Sequence, residues 1–295
     1  MTERLTEVEA RRASVQDLSA VTDAMRALAG VWLQQALGLL GGARAYAAVI
    51  ERALGQALAL TDAGTGGRPL NGGKNGEGRP VLLLFAPEHG FVGAFAERLV
   101  EAALAAPKDH ALWVVGSRGA ALLEERGRPA DWAAPMATRA DGVSATARDA
   151  ADALYKAAAA HRVGPVSLLF GQTVGGAPPE IRRETLLPLD PARFPQPTPG
   201  GSPPLTNLPP AALVNRLIDE YVFARLAGAA MESFAAENAA RLAVMLTVQS
   251  NIEATLEDLT GVTRRLRQED VTSELIELAT GAEALGGARR RSGPR

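Results

Sequence analysis

The sequence predicts an α/β protein in which a long antiparallel coiled coil of N- and C-terminal helices brackets a parallel α/β domain. Three observations carry this reading. Both chain ends hold proline-free stretches with apolar residues three and four apart, the helical period. The middle holds three continuous apolar runs of strand length, residues 81–85, 111–115 and 166–170, with helical stretches between them. A Gly/Asn-rich segment and a Pro-rich segment separate the middle from the ends.

Residues 1–60 read as the N-terminal coiled-coil helix. Leu5, Val8, Val15, Leu18, Met25, Leu28 and Trp32 keep the three/four spacing, and no proline intervenes before Pro69. Gly30, Gly38, Gly41 and Gly42 weaken the middle of it, each by roughly 1 kcal/mol relative to alanine, and allow another helix to come close. Residues 61–79 form a loop. Its Gly73-Lys74-Asn75 invites a phosphate-binding reading, but Arg68 stands where the first glycine is needed, Asn75 replaces Ser or Thr, and no strand precedes. A flexible linker fits better.

Residues 80–189 read as a Rossmann-like domain. Apolar runs without alternation fit strands buried on both faces. Helices over 92–105, 120–126 and 143–161 alternate with them, as parallel sheets require. Residues 181–189 are a candidate edge strand. Residues 190–209 are a stiff crossing, because nearly half of the 19 prolines fall between Pro188 and Pro210. Residues 210–286 read as the C-terminal coiled-coil helix, on the order of 115 Å long. Leu242, Met245, Ile252, Leu256, Leu259 and Leu266 mark its seam, with Gln249 and Thr263 as polar interruptions. A helix of that length needs a partner, and the N-terminal helix is the natural one. Residues 287–295 are a basic tail.

Composition narrows the function. The 295 residues are 47% hydrophobic but only 4% aromatic, because alanine dominates, and this favours long helices over bulky cores. A net charge of −2 supplies no field for nucleic acid or a membrane surface. Without cysteine there is no disulfide or thiolate chemistry. No apolar run is long enough to span a membrane, and the charged N-terminus is unlike a signal peptide, so a soluble intracellular chain is expected.

Little nominates chemistry. The segment from Gly90 to Phe95 follows the first strand and opens a helix, a place where phosphate can bind, yet it lacks the dinucleotide fingerprint. A tight turn is the better reading. His89, His110 and His161 have no metal-ligand spacing. Ser117, in Gly116-Ser117-Arg118-Gly119, lacks the nucleophile-elbow pattern. No cofactor is expected.

The two ends carry a resemblance. Ala239–Met245 reads A-A-R-L-A-V-M, and Arg265–Leu285 reads R-L-R-Q-E-D-V-T-S-E-L-I-E-L-A-T-G-A-E-A-L. Together they resemble the C-terminal signature of the gamma subunit of F-type ATP synthases. Ala13-Ser14-Val15-Gln16 and Val21-Thr22-Asp23-Ala24-Met25 resemble that family's N-terminal A-S-V-x-N-T-x-x-I-T-x-A-M. The Gly90 turn is similar to its D-R-G-L-C-G-x-F-N, with Glu88-His89 at the first two places. The resemblance implies a non-catalytic central-stalk rotor. It would couple ion flow through a membrane rotor ring of c subunits to ATP synthesis or hydrolysis in a ring of alpha and beta subunits, with the epsilon subunit at its foot. It implies a peripheral place on the cytoplasmic face of the bacterial inner membrane, with no span of its own and no nucleic-acid partner. It also implies subunit contacts at Arg267, Gln268 and Thr272, on the family's R-Q-x-x-x-T, and at Met25 on the facing helix.

The departures are local. Asp23 replaces the family's lysine, and its basic run after the methionine is Leu28-Ala29-Gly30-Val31-Trp32-Leu33-Gln34-Gln35 here. A divergent, second ATPase set with co-varied partners would accommodate this. The sequence leaves open proton or sodium coupling, the direction of the reaction, and the role of the crossing and the tail. From another class, the α/β domain could bind a ligand or act as an enzyme, with the helices as an oligomerisation arm. Nucleotide binding by the isolated chain would favour that alternative. A third reading, a coiled-coil scaffold, leaves the R-Q-x-x-x-T match unexplained.

Overall fold

The computed structural model describes residues 2–62, 78–195 and 204–291. The Gly73-Lys74-Asn75 motif, most of the Pro-rich crossing before residue 204 and the last four residues of the basic tail lie outside them. Among the described residues five α-helices and five strands follow in the order α1 (Thr2–Asp62), β1 (Arg79–Phe85), α2 (Phe95–Leu104), β2 (Ala111–Val115), α3 (Ser117–Glu125), β3 (Trp132–Ala134), α4 (Val143–Ala159), β4 (Val163–Gln172), β5 (Glu180–Leu187) and α5 (Pro210–Arg291). The chain divides into two compact units. One is Ala27–Val244; the other joins the two chain ends, through Arg26 and from Met245.

In the larger unit the strand order is β3-β2-β1-β4-β5. β1 pairs in parallel with β2 and β4, and β2 with β3. β5 runs antiparallel on the β4 edge. The sheet is therefore parallel-dominated but mixed. The antiparallel edge strand β5 is the segment expected at 181–189, and the short β3 at the other edge was not legible in the sequence.

The continuous apolar runs follow from burial on both faces, since successive side chains of a strand point to opposite sides. Val81, Leu83 and Phe85 enter one core with Val115, Leu168, Phe170 and the α4 residues Val143, Ala147, Ala150 and Leu154. Ala36, Leu40 and Leu54 of α1 and Tyr221, Leu226 and Phe234 of α5 complete that core. Leu82, Leu84 and Val114 enter the other, under Leu99, Val100 and Ala103 of α2 and Leu122 and Leu123 of α3. After its first residue, Val163, β4 carries Gly164-Pro165, where the register against β1 shifts between Arg79 and Val81. That irregularity is what lets a proline, with no N–H to donate, sit in an interior strand.

The two terminal helices run past their expected ends, while α2, α3 and α4 stop one or two residues short of theirs. α1 is unbroken through Gly30, Gly38, Gly41 and Gly42. α5 is a single helix of 82 residues. It opens at Pro210, whose missing N–H costs nothing in a first turn. It continues to Arg291, so the first residues of the expected basic tail are helical, in line with the good helix propensity of Ala and Arg. In the larger unit the two helices pair antiparallel, with Arg44 on Glu232 at 2.5 Å and Glu51 facing Arg225 at 3.7 Å. Arg225 also binds Glu184 of β5, tying the helix pair to the sheet edge. Among the described residues no helix is long and apolar enough to cross a membrane.

Candidate functional site

In a parallel sheet, ligands bind beyond the carboxyl ends of the strands where the strand order reverses. Here that point is the end of β1, flanked by β2 and β4. It is filled by α5. The Ser233 hydroxyl donates to the carbonyl of Phe85 at 2.9 Å. The Glu237 carboxylate accepts from the backbone N–H of Glu88 at 3.0 Å and of His89 at 3.4 Å. Arg241 donates to Glu237 at 2.5 Å, to the Gly90 carbonyl at 3.3 Å and to Asn238 at 3.1 Å. The Glu237 and Arg241 side chains are 5% and 6% exposed. Two N–H groups of the turn after β1, those of Glu88 and His89, are thus already bound to a carboxylate of the same chain. Gly171 at the end of β4 completes the fit, because a Cβ there would lie 2.4 Å from the Phe95 ring and 2.8 Å from Ala236.

The turn after β1 is anchored from its other side by Glu88. Its carboxylate accepts from the Ser117 hydroxyl at 2.6 Å, the Ser117 N–H at 2.9 Å and the Met136 N–H at 2.7 Å. Burial pushes this carboxyl up. The three hydrogen bonds outweigh burial and hold it below its ordinary value. A carboxylate stabilised in its charged form is a poor base, so Glu88–Ser117 works as a tether rather than a nucleophile–base pair. Gly116, in a left-handed conformation at φ 123°, lets the chain pass close to the Ala86 carbonyl beside this tether. No group of His, Cys, Asp or Glu among the described residues could hold a metal ion. His110 faces Asp109, and His161 closes α4 in a left-handed turn at φ 53°.

Sequence reasoning missed Glu88, Glu237 and Arg241. The i, i+4 spacing of Glu237 and Arg241 was visible as an ion-pair pattern. What it did not reveal is that the pair points into the protein.

In the smaller unit Met245, Ile252 and Leu259 are buried, and Leu256 and Leu266 are partly so, as a seam requires. Thr22 and Thr263 are buried beside them and return their hydroxyls to the carbonyls of Leu18 and Leu259 at 2.9 and 2.8 Å. This is how a coiled coil tolerates a buried hydroxyl. Met25 is half-buried. The residues singled out on α5 differ in their bonds. Arg267 donates to Glu9 of α1 at 2.6 Å, with 62% of its side chain exposed. Gln268 and Thr272 are exposed one turn apart on another face, and the Thr272 hydroxyl is spent on the Gln268 carbonyl at 2.7 Å.

Comparison with known proteins places this arrangement. A family model described as ATP synthase matches residues 4–285. The ATP synthase gamma chain of Frankia casuarinae is 29% identical, over 97% of this chain and 99% of its own length. One chain in the Euglena gracilis mitochondrial ATP synthase (OSCP/F1/c-ring, rotational state 3) superposes with a TM-score of 0.64 at 12% identity, covering all of this chain and 98% of that one. A chain of the Euglena gracilis mitochondrial ATP synthase rotor gives 0.61 at 9% identity, over 92% of this chain and 100% of its own. The match over nearly all of its length, together with the paired terminal helices and the filled crevice, means that the chain belongs to the ATP synthase gamma-subunit family.

Proposed function

We propose that the chain is the central-stalk rotor subunit of an F-type ATP synthase and that it makes and breaks no bonds itself. The observation that carries the second half is the occupied crevice. The place where an α/β sheet would take a nucleotide is closed by Ser233, Glu237 and Arg241 of the chain's own helix. This also argues against the alternative of a ligand-binding or enzymatic α/β domain. By this reading the partners are alpha and beta subunits, an epsilon subunit and a membrane ring of c subunits. The place is peripheral, on the cytoplasmic face of the bacterial inner membrane, and the complex carries ions as it turns. The two-helix portion works inside the alpha/beta ring, and the sheet portion forms the foot.

The mechanism is mechanical. An asymmetric shaft presents different faces to three catalytic sites and biases each among conformations of different nucleotide affinity. Met25, Arg267, Gln268 and Thr272 are the contacts that read out its angle. Arg267 suits this because its link to Glu9 is exposed. Such pairs are worth about 0–1 kcal/mol, so the guanidinium can exchange Glu9 for a passing carboxylate at little cost. Gln268 keeps its amide outward for the same purpose.

Co-expression with alpha and beta subunits from the same source organism tests the reading. The expected outcome is a complex that contains one copy of this chain and whose ATP hydrolysis falls to background when the chain is omitted. Tight nucleotide binding by the isolated chain, with no co-purification, would overturn it.

A further inference from the structure

Two faces of α1 are apolar, and only one of them is covered within the chain. From residue 27 to 43 there is no charged side chain, in a protein that is 22% charged. Ala29, Ala36 and Leu40 point into the core and are 0%, 0% and 3% exposed. Leu28, Val31, Gln35 and Leu39 fall on another face at spacings of three and four, with Leu28, Val31 and Leu39 left 49%, 53% and 50% exposed. Gly38 and Gly42 lie on that same face, and a Cβ at either would meet nothing within 4 Å. These glycines therefore make room for no part of this chain. A helix that is apolar all round belongs in an interior.

We infer that this outer face is a docking surface for an uncharged, apolar segment of a partner chain, which closes on α1 at Val31 and reaches the backbone at Gly38 and Gly42. The inference rests on the central-stalk reading and names the chemistry of one of its contacts. Charge complementarity selects the occupant. An acidic or basic loop seated on residues 27–43 would lose water and find no free counter-charge, because the cations that border the stretch, Arg26 and Arg44, are already on Asp23 and Glu232. An apolar segment covers the exposed Leu28, Val31 and Leu39 without that penalty. The glycines leave a shallow place into which its side chains or backbone can settle.

The test places a charge of either sign on the seam. Val31→Glu and Val31→Lys are made in the full chain and co-expressed with its cognate alpha and beta subunits, with Leu37→Glu as a control. Leu37 is 42% exposed but lies about 120° around the helix from Val31, off the face that carries it. Both Val31 variants are expected to lower recovery of the assembled complex about tenfold or more, alike at low and high salt, while the free chains keep their helicity and Leu37→Glu assembles normally. Four results would overturn the inference. Opposite effects of the two signs would mean a charged partner. No effect of either would mean a free surface. An equal loss in Leu37→Glu would mean a general intolerance of charge. Self-association of the free wild-type chain, abolished by both Val31 variants without loss of assembly, would assign the face to a second copy. Failure of the wild-type chain to assemble at all is a different result, and it overturns the central-stalk reading instead.

Discussion

Two arginines of α5, each paired with a glutamate, make opposite use of the same chemistry. Arg241 and Glu237 are 6% and 5% exposed, and between them they hold Asn238 and the backbone of Glu88, His89 and Gly90. Arg267 and Glu9 are 62% and 39% exposed, and no other partner of either is resolved at hydrogen-bond distance among the described residues. A buried pair is secured by what its loss would leave behind, an uncompensated charge in a low dielectric. An exposed pair is secured by almost nothing, since water replaces either partner. The first suits a joint that must not move and the second a contact that must let go.

Breaking the buried joint is the severest way to test this contrast. Arg241→Ala leaves Glu237 unpaired in the interior and should lower unfolding stability by about 3–5 kcal/mol. Urea denaturation of the purified chain measures it. A loss no larger than that of an exposed pair would erase the distinction.

The tether behind the joint should show an intermediate effect with a pH signature. Glu88→Gln removes a charged acceptor of three hydrogen bonds and is expected to cost about 1–3 kcal/mol at neutral pH. The folded-state pKa of Glu88 is depressed, so its contribution is present above the ordinary value of 4.5 and is lost as pH falls through the lower, folded value. Wild-type stability should therefore fall on acidification below about 4.5, and the Gln variant should fall less. Parallel acid limbs in the two proteins would remove Glu88 from the account.

The exposed pair should barely affect stability. Arg267→Ala with Gln268→Ala is expected to change unfolding free energy by less than about 1 kcal/mol. It is nonetheless expected to lower ATP turnover of the assembled complex several-fold with subunit content unchanged. Steady-state hydrolysis on matched complexes decides it. Full activity would reduce these residues to a solvated helix face.

Gly171 adds a packing counterpart to these electrostatic contrasts. Nothing in the sequence marked it, because a glycine late in an apolar run reads as a strand end or a bulge. Its significance depends on Phe95 and Ala236, far away in the sequence, arriving at the same point.

The sequence by itself determined the layout. Local periodicity and proline placement are properties of consecutive residues, and they were enough to mark two long terminal helices and three strands buried on both faces. The seam through Met245, Ile252 and Leu259 was legible for the same reason. Only the tertiary structure decided which polar residues face inward. Glu237 and Arg241 share the i, i+4 spacing of many solvated pairs, and spacing does not tell that Arg267 reaches Glu9 while the Thr272 hydroxyl turns back to its own helix. Spacing along a helix fixes which side chains share a face. Whether that face meets water, a strand end or another helix is set by residues far away in the chain.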